Sequence, residues 1–317
     1  MVAVATERSV GPGGVCRQGV RVLGLPAGVR AAARAFPSVA RVTFERAEAM
    51  VRALARDLSL PVGTLDPRHH ALVCFADVDA DVGTSGLLAA ALASAGPHLP
   101  VVGGTFGGVA LNGRARRGGA VVVLLASEAP LAPLYAHPFE IGGERLVVTD
   151  CDATGRRVSG LDGWPAAERF AALGGIAAGD LAGTPREVLE RTHAQLAWVL
   201  GGRTVLRPVI GLDPEGALLL DGPVRTGAVL RVAQRRPDVA AALLDSLAAE
   251  LRTASVRPAA AWAFACGGFL DGVVGERVAE GLERLGVLAC SVRGAFHGPT
   301  HACACLSGLV FGDAGPR

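Results

Sequence analysis

The chain lacks lysine altogether: all of its 31 basic residues are arginine, set against 29 acidic ones, for a formal charge of +2. Aromatic residues make up 4% and there is a single tyrosine. Basic patches interleaved with aromatic stacking platforms, the footprint of single-strand nucleic-acid binding, are therefore missing. Adjacent basic residues occur only as isolated pairs, Arg116-Arg117 and Arg235-Arg236 among them, too sparse for a polyanion track. No nucleic-acid partner is expected. Long apolar runs are absent too. Gly, Pro or Arg interrupts each one before the roughly 18 residues of a membrane span, so no membrane partner is expected. The opening residues MVAVATERSVGPGG carry no basic stretch followed by an apolar one, and no signal peptide is read there. Seven cysteines, an odd number in 317 residues, do not form a disulfide framework, so a reducing cytoplasm is the expected location.

What the chain does have is apolar residues, half the total, and a mean hydropathy of +0.40. That is enough for one large or two ordinary domains. Short apolar runs alternate with glycine-closed helical stretches. HALVCFADV (70–78) reads as a buried strand, GTSGLLAAALASAG (83–96) as a helix, LPVVGGTFGG (99–108) as a strand running into a glycine turn, and GGAVVVLLAS (118–127) as a strand buried on both faces. The order recurs near the C-terminus in AAWAFACGG (260–268), VVGERVAEGLERLG (273–286), VLACSVRGAFHG (287–298) and HACACLSGLVFG (301–312). Val101–Gly108 laid on Ser291–Gly298 matches Gly104 with Gly294, Phe106 with Phe296 and Gly108 with Gly298. This predicts an internal duplication. The fold expected is α/β, with two pseudo-repeated halves, each a mixed sheet with helices packed outside.

Between these stretches, Thr184-Pro185-Arg186-Glu187 is a capping box with proline at the first helical position. It predicts a helix through Leu200, stopped by Gly201-Gly202. Residues 207–234 read as a β-meander broken at Asp-Pro-Glu-Gly and Asp-Gly-Pro, and Pro237-Asp238 opens a helix through Leu251. Residues 128–165 read as the least regular part.

The order of elements in 205–251, 260–272 and 285–311, with ALVCFADVDAD (71–81) and LPVVGGTFGGVALNGRARRGGAVVVLLA (99–126), resembles the FIST domain, a bacterial sensory module with N- and C-terminal parts. On this resemblance the chain divides into an N-terminal part, 1–203, and a C-terminal part, 204–317. The resemblance implies signal transduction through a small ligand, amino-acid-like in several proposals. One branch is implicated in haem binding and nitric-oxide sensing. Members commonly carry a Gly-Glu-Ile-Gly-Pro-like turn, whereas Arg293–Gly298 reads RGAFHG without glutamate. No output domain is attached, so a separate signalling partner is implied, and the sequence leaves a homo-oligomer open.

Two groups of residues are candidates for a site. Phe106, Cys266, Gly267, Arg293, Phe296 and His297 are expected to line a cleft between the halves, beside the turns at 103–108 and 293–298. Arg293 would be the fork for a carboxylate. The second group lies in FHGPTHACACLSG (296–308). Gly298 and Pro299 rule out a helical pair of histidines, while strand periodicity puts His301, Cys303 and Cys305 on one face with His297 near by. Imidazole and thiolate suit zinc or iron. The opposing reading is that these thiols are small buried hydrophobes. His193, in line with Leu189 and Leu196 on the expected helix, is either a satisfied core residue or an axial haem ligand. His69-His70 reads as a solvated loop pair. Two functions follow: a cytoplasmic small-ligand sensor, or a haem- or metal-binding protein, gas sensor or metal-dependent enzyme, using His297, His301, Cys303 and Cys305.

Overall fold

The computed structural model describes residues 1–12, 14–17, 24–77, 82–96, 98–200, 203–266, 268–298, 300–302 and 304–313. The fold is mixed α/β, as expected. It divides into two compact units. One comprises Met1–His137, Leu243–His301 and Cys305–Arg317, and the other Pro138–Ala242 with Ala302–Ala304. No helix among the described residues is long and apolar enough to cross a membrane.

The first unit is built on strands β1 (Ser9–Gly11), β2 (Val29–Phe36), β3 (His70–Asp77), β4 (Val101–Phe106), β5 (Ala120–Ser127), β6 (Leu131–Ala136), β7 (Pro258–Cys266), β8 (Val287–Val292), β9 (Gly294–His297) and β10 (Leu306–Gly312). Helices α1 (Phe44–Asp57), α2 (Val82–Ala95) and α3 (Gly272–Arg284) accompany them. Two six-stranded sheets result. One runs Thr300–Ala302, β9, β4, β3, β5, β2, and the other β6, β10, β7, β8, β1, Gly14–Cys16.

The connectivity of the two sheets is alike. β3 and β4 pair in parallel across α2, and β5 returns antiparallel to β3. β7 and β8 pair in parallel across α3, and β10 returns antiparallel to β7. A parallel pair needs such a crossover, which is why each helix falls between its two strands. The glycine match does not follow this correspondence. By topology the counterpart of β4 is β8, residues 287–292, whereas Gly294–His297 is a further strand. That strand leaves the β8 sheet and pairs antiparallel with β4 itself, His297 opposite Val102 and Gly294 opposite Thr105. Gly103 and Gly104 lie inside β4 rather than in a turn.

Their lack of a side chain explains why. A Cβ at Gly103, whose φ is +134°, would sit 1.9 Å from the carbonyl oxygen of Cys74. One at Gly104 would sit 2.7 Å from Cγ1 of Val292 and 2.8 Å from the carbonyl oxygen of Gly294. Glycine is the residue that permits this backbone approach.

Against the β4 sheet pack α1 and α2. Thr43 caps α1, its hydroxyl accepting from the Arg46 amide at 3.3 Å. Ala47, Met50, Val51, Leu54 and Ala55 recur at helical spacing on its inner face. They join Phe36, Leu72, Leu88, Leu92, Val122, Leu124 and Phe296 in one core. Full burial of a leucine or phenylalanine contributes about 1.5–3 kcal/mol. α2 is apolar nearly all round; Leu88, Ala89, Ala91 and Leu92 are buried against the sheet side, and Leu87 is exposed.

The second unit holds an antiparallel sheet in the order Arg203–Arg207, Ala194–Leu200, Val229–Arg235, Phe139–Cys151, Arg157–Leu161, Leu218–Leu220, Val209–Leu212. Residues 128–165, expected to be irregular, are therefore mostly strand, including β6 and the thirteen residues of Phe139–Cys151. The expected meander is cut short. Val209–Leu212 and Leu218–Leu220 form a hairpin about Asp213, whose carboxylate accepts from the amides of Glu215 (2.9 Å) and Ala217 (2.7 Å). Leu218–Leu220 then pairs with Arg157–Leu161 and not with Val229–Arg235. The capping box at Thr184 forms as read, but its helix ends at Arg191. Residues 194–200 pair instead with Val229–Arg235 and Arg203–Arg207, because Gln-Leu-Ala-Trp-Val-Leu suits a pleated, two-sided surface.

Gly104→Ala is expected to lower unfolding stability by about 2–3 kcal/mol through overpacking between β4 and β9, read by urea denaturation. Gly143→Ala, where a Cβ meets nothing within 4 Å, should stay within about 0.5 kcal/mol. Equal effects would contradict the close approach at Gly104.

Candidate functional site

The parallel strands β3 and β4 end at Asp77 and Phe106, and β7 and β8 at Cys266 and Val292. Ligands of open α/β sheets gather outside such carboxyl ends. Here the two sets of ends are tied together. The Arg293 amide donates to the carbonyl of Thr105 at 3.0 Å. The Cys266 thiol donates to the carbonyl of Arg293 at 3.3 Å, and the Cys266 amide to the carbonyl of Cys305 at 3.0 Å. The rings of Phe75, Phe106 and Phe264 meet with centroids 5.7, 6.1 and 6.3 Å apart. These are ordinary tilted and edge-to-face distances. Arg293 itself is exposed, in the turn between β8 and β9.

Phe106, Cys266 and Arg293 are thus gathered at one end of the strands. Phe296 is not with them. It is fully buried in the core against α1 and α2, whereas Phe106 stacks on Phe264 of the other sheet. Gly267 lies outside the described residues. Next to it, Gly268 is exposed with φ +72° and supplies the turn into α3.

His297 is 5% exposed. Its ring lies 4.6 Å from that of Tyr135, and its Nδ1 is 3.4 Å from the Ser307 hydroxyl, which donates to the carbonyl of Phe296 at 2.6 Å. This is a polar group held within packing. His301 falls in the short strand Thr300–Ala302, and Cys303 lies outside the described residues. Cys305 is fully buried. Ala304 has φ +53°, and the strands on either side are Thr300–Ala302 and β10 from Leu306, so His301 and Cys305 do not stand in one continuous strand. No group of three or more His, Cys, Asp or Glu among the described residues is placed to hold a metal ion.

His193 also departs from expectation. The helix stops two residues before it, and His193 sits exposed in the turn leading to Ala194–Leu200. There it is neither in line with Leu189 and Leu196 nor enclosed as an axial ligand would be. His70, expected in a solvated loop, opens β3 and is buried, with Nδ1 accepting from the Asp66 amide at 2.9 Å. Asp77, one of three alternating aspartates, is also buried, and its carboxylate accepts from the Gly118 amide at 3.0 Å.

Phe75, Phe264, Tyr135 and Ser307 went unmarked in the sequence. The two phenylalanines stand near the ends of legible strands, two residues before Asp77 and Cys266 respectively, and that spacing is the signal that points to the strand ends. Tyr135 and Ser307 face one another across paired strands, a register that no local pattern reveals.

The geometry defines an α/β protein whose two like-connected sheets join at the ends of their parallel strands. The model of the FIST N domain matches residues 1–164 of the 317, and the chain belongs to this family, a family of sensory domains. No curated protein matches the chain.

Burial decides the thiol chemistry. The thiol of Cys74, enclosed in the core, is held far above the usual thiol range by desolvation, and burial pushes that of Cys290 up to about 12. Alkylation by iodoacetamide at pH 8, followed by peptide mapping, should label the half-buried Cys16 and Cys151 before Cys74, Cys266 and Cys305. Early labelling of Cys266 would contradict its enclosed place beside Arg293.

Proposed function

We propose that this protein is a cytoplasmic sensory module that binds a small carboxylate-bearing, amino-acid-like ligand at the joined ends of its parallel strands and signals through a separate partner. Membership of a sensory family supports the class. The observation that carries the site is Arg293. It is the exposed guanidinium fork in the turn between β8 and β9, and its backbone is fixed on both sides, by Thr105 through the amide and by Cys266 through the carbonyl. A fork on an anchored backbone loses little freedom on binding a carboxylate. Phe75, half-buried and stacked on Phe106, supplies an apolar neighbour for the body of such a ligand.

The test is a thermal-shift screen of free amino acids and simple carboxylates, followed by calorimetry. At least one compound should stabilise the protein. Arg293→Ala should weaken its binding by about tenfold or more, the loss of a charged hydrogen-bonded pair, and Arg293→Lys should restore only part of it. A hit whose affinity is the same in Arg293→Ala, or no hit at all, would overturn the proposed site.

A further inference from the structure

A second feature lies away from the strand ends, between β2 and α1. These elements frame an open groove of about 940 Å³, the size of a small-molecule site. Phe36 and Met50 contribute apolar surface to it. Four arginines line it, Arg34, Arg41, Arg46 and Arg116, with Asp57 as the sole carboxylate in the lining.

The charges there do not cancel. Asp57 is committed to Arg34, accepting from Nε at 2.7 Å and from Nη2 at 2.8 Å. The pair holds the Asp57 carboxyl below the usual carboxylate range, so it stays ionised with its partner at neutral pH. Three guanidinium groups remain. Arg46 gives one bond, at 2.9 Å, to the carbonyl of Arg41. The side chain of Arg41 is exposed and takes no partner among the described residues. Nε of Arg116 is buried and has no hydrogen-bond acceptor among them. A buried donor without an acceptor is uncommon in a native fold and calls for an explanation.

A carboxylate would be satisfied by one fork. Three unopposed forks around an apolar floor suit a dianion with three or more acceptor oxygens. We infer that this groove binds the phosphate group of a small organic phosphate, with Arg41, Arg46 and Arg116 on the phosphate and the organic body against Phe36 and Met50. The site is independent of Arg293 and of the ligand proposed for it.

Calorimetry at low ionic strength with phenyl phosphate, inorganic phosphate and benzoate tests this. Phenyl phosphate should bind tightest and benzoate weakest. Arg41→Ala and Arg116→Ala should each weaken phenyl phosphate by at least about tenfold. Arg41 is exposed, so its variant keeps the inference testable should Arg116→Ala fail to fold. Arg252→Ala, outside the groove, and Arg293→Ala should leave the affinity unchanged. Absence of phenyl phosphate binding, binding unaltered in both groove variants, or benzoate matching phenyl phosphate would each overturn the inference. So would binding only to phosphatidate vesicles, which would assign these arginines to a lipid surface.

Discussion

The first unit depends on the antiparallel pairing of β9 with β4. A strand from the last thirty residues completes a sheet whose other principal strands come from the first 130. Without β9, β4 would present an open, apolar edge of the kind natural sheets take care to cover. The pairing brings Phe296 into the core between the β4 sheet and its helices. On the same stretch, Arg293 and Cys266 bind the ends of the β7 sheet to Thr105. Gly103 and Gly104 make the approach possible. The Thr105 hydroxyl bond to Gly294 spans 189 residues of sequence. Contacts of that separation form late and slowly, because loop closure precedes the reward.

This pairing also sorts the chemistry. The side chains of Phe106, Cys266, Phe296 and His297 are buried beside it, and burial keeps the thiols of Cys74 and Cys290 protonated. Groups just beyond the strand ends, Arg293 above all, stay in contact with solvent. A sensor needs both: a rigid frame to hold a binding group in place, and a group left accessible on that frame. The histidine and cysteine stretch near the C-terminus belongs to the frame as far as it is described. Ser307 and Tyr135 engage His297, and Cys305 carries the backbone acceptor for Cys266.

The elements most legible in the sequence were those with the strongest local signals. β5 is apolar at every position but its last, Ser127, and buried at every position. α3 carries its glycine stop, and the capping box at Thr184 forms with both of its reciprocal bonds. What local pattern did not reveal was partner choice. Residues 194–200 satisfy a helical spacing through Leu189, His193 and Leu196, yet cross-strand partners on both sides hold them extended. The glycines at 103–104 look like turn residues. They are strand residues, and the reason lies at Cys74, Val292 and Gly294, which only the fold brings near. α1 was readable in principle from Thr43 and its apolar spacing. The groove beside it was not, because Arg34, Arg41, Arg46 and Arg116 are scattered over eighty residues. At the strand ends, Cys266 and Arg293 were legible from their glycine neighbours, but the opposite faces of Phe106 and Phe296 follow from β9 entering the β4 sheet.

Native-state hydrogen exchange, read by mass spectrometry on the intact chain, tests the pairing most directly. If β9 is an integral strand of the β4 sheet, amides of 294–297 and 101–106 open together, with the free energy of global unfolding and the same dependence on denaturant. Exchange of 294–297 orders of magnitude faster than 101–106 would show β9 to be a detachable edge, and the account of the fold as one frame closed by that strand would fail.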